Sequence, residues 1–151
     1  MRTRCRIAGF EVRRTTAAIA LRFLIRRWRH GRRTIVFFVN ANFVTQCGHL
    51  RQMIAESPEI ILLNDGLALD LAALLRSGSR FPENLNGTDF TPAFLSKLDH
   101  GTRVFLLGGR PGVAQATAEA ILGFSKVDIA GHLEGYSTGI PQMAPSNCRQ
   151  C

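Results

Sequence analysis

The sequence predicts an α/β fold, with a parallel, Rossmann-like sheet and helices on both of its faces. Three short apolar runs, at residues 34–39, 60–63 and 103–107, carry this prediction. Each run has the length and the nearly continuous apolar character of a strand that is buried on both faces. Turn residues and a helical pattern follow each run, which is the order that gives right-handed parallel crossovers.

The remaining elements follow from the same periodicity and from helix-start signals. Thr15 or Thr16 is suited to cap a helix that runs to about residue 30, and Thr91-Pro92 is suited to open another. We expect strands at 5–12, 34–39, 60–63, 103–107 and 127–130, and helices at 16–30, 45–56, 67–75, 91–99 and 113–122. Periodicity then stops, so we expect one domain over residues 1–136 and an irregular tail over 137–151.

The positive charge of the chain is concentrated at its amino-terminal end. Residues 1–33 hold eleven of the nineteen Lys and Arg residues and one acid, Glu11, whereas the rest of the chain is slightly acidic. One interpretation is a surface helix whose arginines are solvated and lie near its negative carboxyl end. A second is contact with an anionic membrane surface. Nucleic acid would need the same charge, but no base-reading motif accompanies it, and we expect no nucleic-acid partner.

Several classes of protein are disfavoured by the composition. Arg22 interrupts the longest apolar stretch, so no segment approaches the roughly 20 residues that span a bilayer. The four cysteines are scattered and no secretory signal precedes them, which favours a reduced, cytoplasmic setting. Cys148 and Cys151 have the spacing of a metal pair, but a second pair of ligands is lacking and no metal is predicted.

Polar residues follow three of the predicted strands. Asn40 and Asn42 follow the second strand, Asn64 and Asp65 the third, and the glycine-rich turn 108–112 the fourth. In parallel sheets these carboxyl ends meet at one edge, so a single pocket is expected to hold these groups and the loop that ends at Asp89. A glycine turn before a helix suits a diphosphate. The alternative is that all of these are ordinary turn and helix-start residues.

Four sequence blocks give the chain a recognisable resemblance. They are V-N-A-N-F at 39–43, N-D-G-L-A-L-D-L-A-A-L-L at 64–75, E-N-L-N-G-T-D-F-T-P at 83–92 and V-F-L-L-G-G-R-P-G-V-A at 104–114. In this order, within roughly residues 5–136, they resemble the WecG/TagA/CpsF family of bacterial glycosyltransferases. The resemblance implies inverting transfer of a hexose-type sugar from a UDP-sugar to a polyprenyl-diphosphate-linked saccharide, without a cofactor. It also implies work at the cytoplasmic membrane face, in the synthesis of exopolysaccharide, teichoic acid or antigen.

The resemblance assigns a role to each candidate residue. Inverting transfer needs one carboxylate as general base, and Asp65 matches the aspartate of the family's D-G pair. The residues expected to bind sugar or acceptor are Asn40, Asn42, Asn64, Gly66, Asn86, Gly87, Thr88 and Asp89. The residues expected to bind the nucleotide are Gly108, Gly109, Arg110 and Gly112. Asp89 is expected to position the site, and His132 to be structural.

Departures from the family pattern also carry information. Phe38 stands where many members have threonine, and Asn84 where many have arginine. The family's later strand–helix units, with their P-K-Q-E-like block and basic appendage, have no counterpart after residue 136, so the second half of the family fold is expected to be missing. Self-association through the uncovered apolar surface is then expected. The open alternatives are an inactive remnant of such an enzyme and a basic module that binds anionic lipid or nucleic acid.

Overall fold

The computed structural model describes residues 3–135 and, for the backbone alone, residues 142–143. The chain divides into two compact units, Met1–Thr91 and Pro92–Cys151. Both units combine helices with short sheets, and each contains one parallel strand pair. The predicted mixed α/β class with a Rossmann-like arrangement is therefore confirmed. The predicted tail over 137–151 lies outside the described residues, apart from the strand at 142–143.

The first unit opens with an antiparallel hairpin of strands β1 (Arg4–Ile7) and β2 (Phe10–Arg13). The prediction of one strand over residues 5–12 is wrong, because Ala8 and Gly9 form a two-residue turn. Both have positive φ angles, 48° and 91°, which is the combination that a type I′ hairpin turn requires. Cys5, Ile7, Phe10 and Val12 point into the core, and the alternate residues of both strands point outward.

A 13-residue helix, α1 (Ala17–Arg29), follows the hairpin. The Thr16 hydroxyl accepts a hydrogen bond from the Ile19 N–H, so the predicted capping position is confirmed. Leu21 and Leu24 are buried on one face of α1, as their spacing predicts. Arg26, Arg27 and Arg29 occupy the last turn, where positive charge complements the helix dipole.

The parallel pair of the first unit is β3 (Ile35–Val39) with β4 (Ile60–Asn64), in register from Ile35 opposite Ile60 to Val39 opposite Asn64. The predicted strand–helix–strand crossover is confirmed. Its single predicted helix is two short helices, α2 (Ala41–Gln46) and α3 (Arg51–Glu56), joined by a 3-10 turn. β4 leads through Asp65 and Gly66 into α4 (Leu67–Ser77).

The next helix, α5 (Gly87–Leu95), starts four residues before the predicted cap at Thr91, so Pro92 lies inside it. The reason is the Asn86 side chain, whose Oδ1 accepts the Asp89 N–H at 2.8 Å and caps the helix earlier. The division between the two units falls within α5.

The second unit has a parallel pair, β5 (Arg103–Leu107) with β6 (Asp128–Leu133), connected through α6 (Val113–Phe124). A short strand, β7 (Gln142–Met143), adds antiparallel to β6. Leu95, Leu98, Ile121 and Val127 form its small buried core. No helix within the described residues is long and apolar enough to span a bilayer.

The core of the first unit lies between the hairpin, β4 and α4, and one helix offers a matched test of it. Leu69 and Leu75 both lie on α4, but Leu69 is 2% exposed and packs in this core, whereas Leu75 is 88% exposed. We expect Leu69→Ala to lower the free energy of unfolding by about 2–5 kcal/mol, because it leaves a cavity. Leu75→Ala should change it by less than about 0.5 kcal/mol. Urea unfolding of both variants measures the difference, and equal losses would contradict this description of the core.

Candidate active site

Asp65 directly follows the carboxyl end of β4 and is half-buried. Its backbone N–H donates to the Val39 carbonyl at 2.8 Å, which continues the pairing of β4 with β3 by one residue. Among the residues that the structure describes, the Asp65 carboxylate makes no hydrogen bond and no ion pair. This carboxylate is therefore available to an external group.

Gly66 separates Asp65 from the first turn of α4. Its φ angle of 91° lies in the region that favours glycine, and a Cβ atom there would meet no atom within 4 Å. No side chain caps α4 at this end. α4 thus begins two residues after Asp65, and the positive end of its dipole favours a negative charge near this helix start.

Asn64 has a different environment from Asp65, although the two residues are adjacent. It is completely buried. Its Nδ2 donates to the Glu83 carbonyl at 2.9 Å, and its own carbonyl accepts the Leu85 N–H at 3.0 Å. The side chain has no exposed surface and holds the loop, while the expected contact between Asn64 and a substrate stays a prediction. Its Oδ1 has no partner within the described part of the chain.

Asn84 adds a third link between this loop and the strand end, since its Oδ1 accepts the Gly66 N–H at 2.7 Å. The sequence alone predicts no role for Asn84. The amide at this position holds the backbone immediately after Asp65. A signal for it was available in the sequence, because an Asn in a loop readily accepts a backbone N–H.

The predicted loop 86–89 forms the start of α5. Asn86 and Asp89 bond reciprocally, because Asn86 Oδ1 accepts the Asp89 N–H and Asn86 Nδ2 donates to Asp89 Oδ2 at 2.8 Å. Asn86 is thus the N-cap of α5, and the Asp89 carboxylate bonds to the side chain of that cap and not to its backbone N–H as in a capping box. The Asp89 carboxylate is thus engaged within the protein, unlike that of Asp65. Thr88 is exposed between them.

Phe38 explains the need for a small residue in this loop. A Cβ atom on Gly87 would lie 3.0 Å from the Phe38 ring. The same ring meets Phe90 of α5 edge to face, with 5.7 Å between centroids. Phe38 therefore packs β3 against the beginning of α5.

Asn40 and Asn42 lie at the start of α2, directly after β3. The Oδ1 atom of Asn40 accepts the Phe43 N–H at 2.9 Å, which makes Asn40 the N-cap of this helix. Its Nδ2 makes no hydrogen bond to the described residues, and Asn42 is exposed. Because Val39 is paired with Asn64, Asn40 follows β3 at the same sheet edge at which Asp65 follows β4.

The glycine-rich turn belongs to the second unit and is described by itself. Gly108, Gly109 and Gly112 have φ angles of 124°, 80° and 81°, so each adopts a conformation that favours glycine. The Gly108 N–H donates to the Leu133 carbonyl, and the Gly112 N–H donates to Glu134 Oε1 at 3.0 Å. The Glu134 carboxylate thus accepts a hydrogen bond from the Gly112 N–H, a group that is predicted to bind a diphosphate.

Arg110 is exposed in this turn, and no hydrogen bond or ion pair to the described residues fixes its guanidinium. His132 lies within β6, opposite Leu106 and Gln142 in the sheet register. No cluster of three or more potential metal ligands occurs in residues 3–135 and 142–143. The second unit therefore has a tight glycine turn that carries the exposed Arg110, and a histidine within a β-strand.

The sheet edge of the first unit thus gathers Asn40, Asp65, Gly66 and Asn84, together with the bonded pair of Asn86 and Asp89 at the start of α5. A comparison with protein families matches the chain to the glycosyl transferase WecG/TagA/CpsF family over residues 5–149. A comparison with curated proteins found no match. The family match extends past residue 136, where the recognisable blocks end, and it covers nearly the whole sequence. The chain belongs to the WecG/TagA/CpsF family of glycosyl transferases, which are enzymes of polysaccharide biosynthesis.

Proposed function

We propose that the chain catalyses inverting transfer of a hexose-type sugar from a UDP-sugar to a polyprenyl-diphosphate-linked saccharide, with Asp65 as general base. In this step the acceptor hydroxyl gives its proton to the Asp65 carboxylate. The hydroxyl oxygen forms a bond to the anomeric carbon, while the bond from that carbon to the diphosphate oxygen breaks. UDP leaves with the electron pair of the broken bond.

The observation that carries this proposal is the contrast between two carboxylates of the same unit. Asp89 accepts a hydrogen bond from Asn86 and serves the start of α5. The carboxylate of Asp65 has no partner among the described residues and lies at the carboxyl edge of a parallel pair. A general base must have a lone pair free for the incoming proton, and Asp65 meets that condition.

The surroundings of Asp65 suit a sugar-bearing substrate. Gly66 leaves open space beside Asp65, since no atom beyond the adjacent residues lies within 4 Å of the position that a Cβ atom on Gly66 would take. Asn40 Nδ2 and the Asn42 amide are the groups best suited to donate hydrogen bonds to sugar or acceptor hydroxyls. Asn86, Gly87, Thr88 and Asp89 at the start of α5 keep their proposed role in substrate binding, in which Asp89 positions the site. Asn64 holds the preceding loop.

For the second unit taken by itself, we propose that the turn of Gly108, Gly109, Arg110 and Gly112 binds the diphosphate of a nucleotide. Backbone N–H groups and an arginine stabilise negative charge that develops on a leaving group. Glu134 would have to release the Gly112 N–H when the diphosphate binds. Exchange of one anionic oxygen for another at the same donor keeps that N–H satisfied throughout.

The cellular setting in this proposal is the inner face of the cytoplasmic membrane, where polyprenyl-linked acceptors are found, with exopolysaccharide as one product class. The net charge of residues 1–33 supports peripheral attachment to anionic lipid. The exposed side chains of Ile19 and Trp28 on α1 supply apolar contacts that such an attachment uses. Self-association belongs to the same proposal, since Phe105 and Leu107 are exposed on β5.

The role of Asp65 is tested by Asp65→Asn, which keeps the shape and removes the basic oxygen. We expect transfer from UDP-sugar to a short polyprenyl-diphosphate acceptor to fall by about 10²–10⁴-fold, which is the usual contribution of a general base. Asp128→Asn makes the same chemical change at an exposed strand residue and serves as the control. Turnover by Asp65→Asn within threefold of the control would rule out Asp65 as the base.

Nucleotide binding is tested without turnover by thermal unfolding with UDP. At a UDP concentration of about 100 times Kd, binding adds about 2.7 kcal/mol to stability, and we expect Tm to rise by roughly 5–10 °C. Arg110→Gln should reduce this shift, whereas Arg103→Gln, an exposed change at the start of β5, should not. A cooperative transition that UDP leaves unmoved would favour an inactive remnant.

A further inference from the structure

A basic groove lies on the first unit, away from the candidate active site. It has a volume of about 330 Å³ and runs along the β1–β2 hairpin, α3 and the beginning of β4. This volume is in the range of small-ligand sites. Five charged residues line it: Arg4, Arg6, Glu11, Arg13 and Arg51. Ile60, Ile61 and Leu62 of β4 line this groove, and three residues of chain, roughly 10 Å, separate Leu62 from Asp65.

The register of the hairpin concentrates positive charge in the groove. Arg4 pairs directly with Arg13, and Arg6 pairs with Glu11. Like charges opposite each other destabilise a strand pair. Burial, and then the positive charges of Arg4 and Arg27, lower the pKa of the Arg13 guanidinium. The hairpin therefore holds a charge arrangement that an anion would relieve.

The single carboxylate of the groove already forms an ion pair within the protein. Glu11 Oε2 accepts a hydrogen bond from Arg4 Nη1 at 2.8 Å in an exposed ion pair. Arg6, Arg13 and Arg51 have no carboxylate partner within residues 3–135. The groove thus keeps an excess of three positive charges after its internal pairing.

Two of these arginines are held by contacts that leave their hydrogen-bond donors free. The Arg13 guanidinium lies over the Phe23 ring, 4.6 Å from the centroid, and that of Arg51 lies 5.6 Å from the Phe10 centroid. A Cβ atom on Gly9 would lie 2.9 Å from Arg51 Cδ, and one on Gly48 would lie 3.1 Å from its Nη2. The aliphatic part and the guanidinium of Arg51 therefore pass close to Gly9 and Gly48, whose lack of a side chain leaves room for them. Such held side chains lose less freedom when a ligand binds.

We propose that this groove binds a phosphate group through the guanidinium groups of Arg13 and Arg51, with Arg6 supplying further positive charge. The planar fork of a guanidinium matches two phosphate oxygens at once, and charge-assisted bonds of this kind are strong. The phosphate belongs either to a soluble phosphate or diphosphate or to a lipid headgroup, because both present the same oxygens. None of the residues that line the groove belongs to the predicted nucleotide turn or to the candidate active site, and the proposal is independent of the proposed catalysis.

The experiment measures binding of two probes to the full chain. Inorganic pyrophosphate is titrated calorimetrically at low salt, and vesicles of phosphatidylcholine with or without phosphatidylglycerol are tested by sedimentation. The double variant Arg13→Gln/Arg51→Gln removes the groove donors. The double variant Arg76→Gln/Arg80→Gln removes the same charge from exposed residues at the end of α4 and just after it, outside the groove and outside residues 1–33, and is the control. We expect saturable binding by the wild type and the control, and affinity at least about tenfold weaker in the groove variant.

Each outcome decides one question. Binding of pyrophosphate alone identifies a soluble phosphate as the ligand, and binding that needs phosphatidylglycerol identifies a headgroup. Equal losses in the two double variants would overturn the proposal, because they would indicate diffuse charge attraction. Failure of the wild type to saturate with either probe would overturn it as well. Should the groove variant melt early, Arg51→Lys decides, since it keeps the charge and loses the fork: wild-type affinity for that variant would contradict the proposal.

Discussion

The buried amide of Asn64 is the constraint on which the first unit depends. A buried amide must find hydrogen-bond partners inside the protein, and Asn64 finds one in the Glu83 carbonyl, while its backbone carbonyl accepts the Leu85 N–H. The Glu83 carboxylate in turn accepts the N–H of Ala17, the first residue of α1. The end of β4, the loop before α5 and the beginning of α1 are therefore tied to one another around a single side chain.

This arrangement also explains why the neighbouring carboxylate is available. Successive side chains of a strand point to opposite faces, so the burial of Asn64 accompanies the greater exposure of Asp65. The loop that Asn64 holds brings Asn84 to the Gly66 N–H and leads into the bonded pair of Asn86 and Asp89. Polar side chains of the site thus either form hydrogen bonds within the protein or remain free to bind a substrate. The Asp65 carboxylate is free among the described residues.

Much of the fold could be predicted from the sequence, because the strands of both parallel pairs are short apolar runs ended by turn residues. The hairpin could not, since its turn begins with Ala8, a residue that rarely adopts a positive φ angle. Pro92 suggests that a helix starts near residue 91, but the Asn86 side chain caps α5 so that it starts at Gly87. The site was predicted as a set of residues, but the sequence gives no sign of which member of the Asn64–Asp65 pair is buried. The groove joins Arg51 to the hairpin across nearly forty residues, which no local pattern reveals.

The most direct measurement is a crystal structure of the chain with a non-hydrolysable UDP-sugar analogue and a polyprenyl-diphosphate acceptor. The account predicts that the acceptor hydroxyl lies within about 2.6–3.2 Å of an Asp65 carboxylate oxygen, with Asn64 still bonded to the Glu83 carbonyl. An Asp65 carboxylate bonded to the protein's own groups, with the acceptor hydroxyl beside another base, would contradict it.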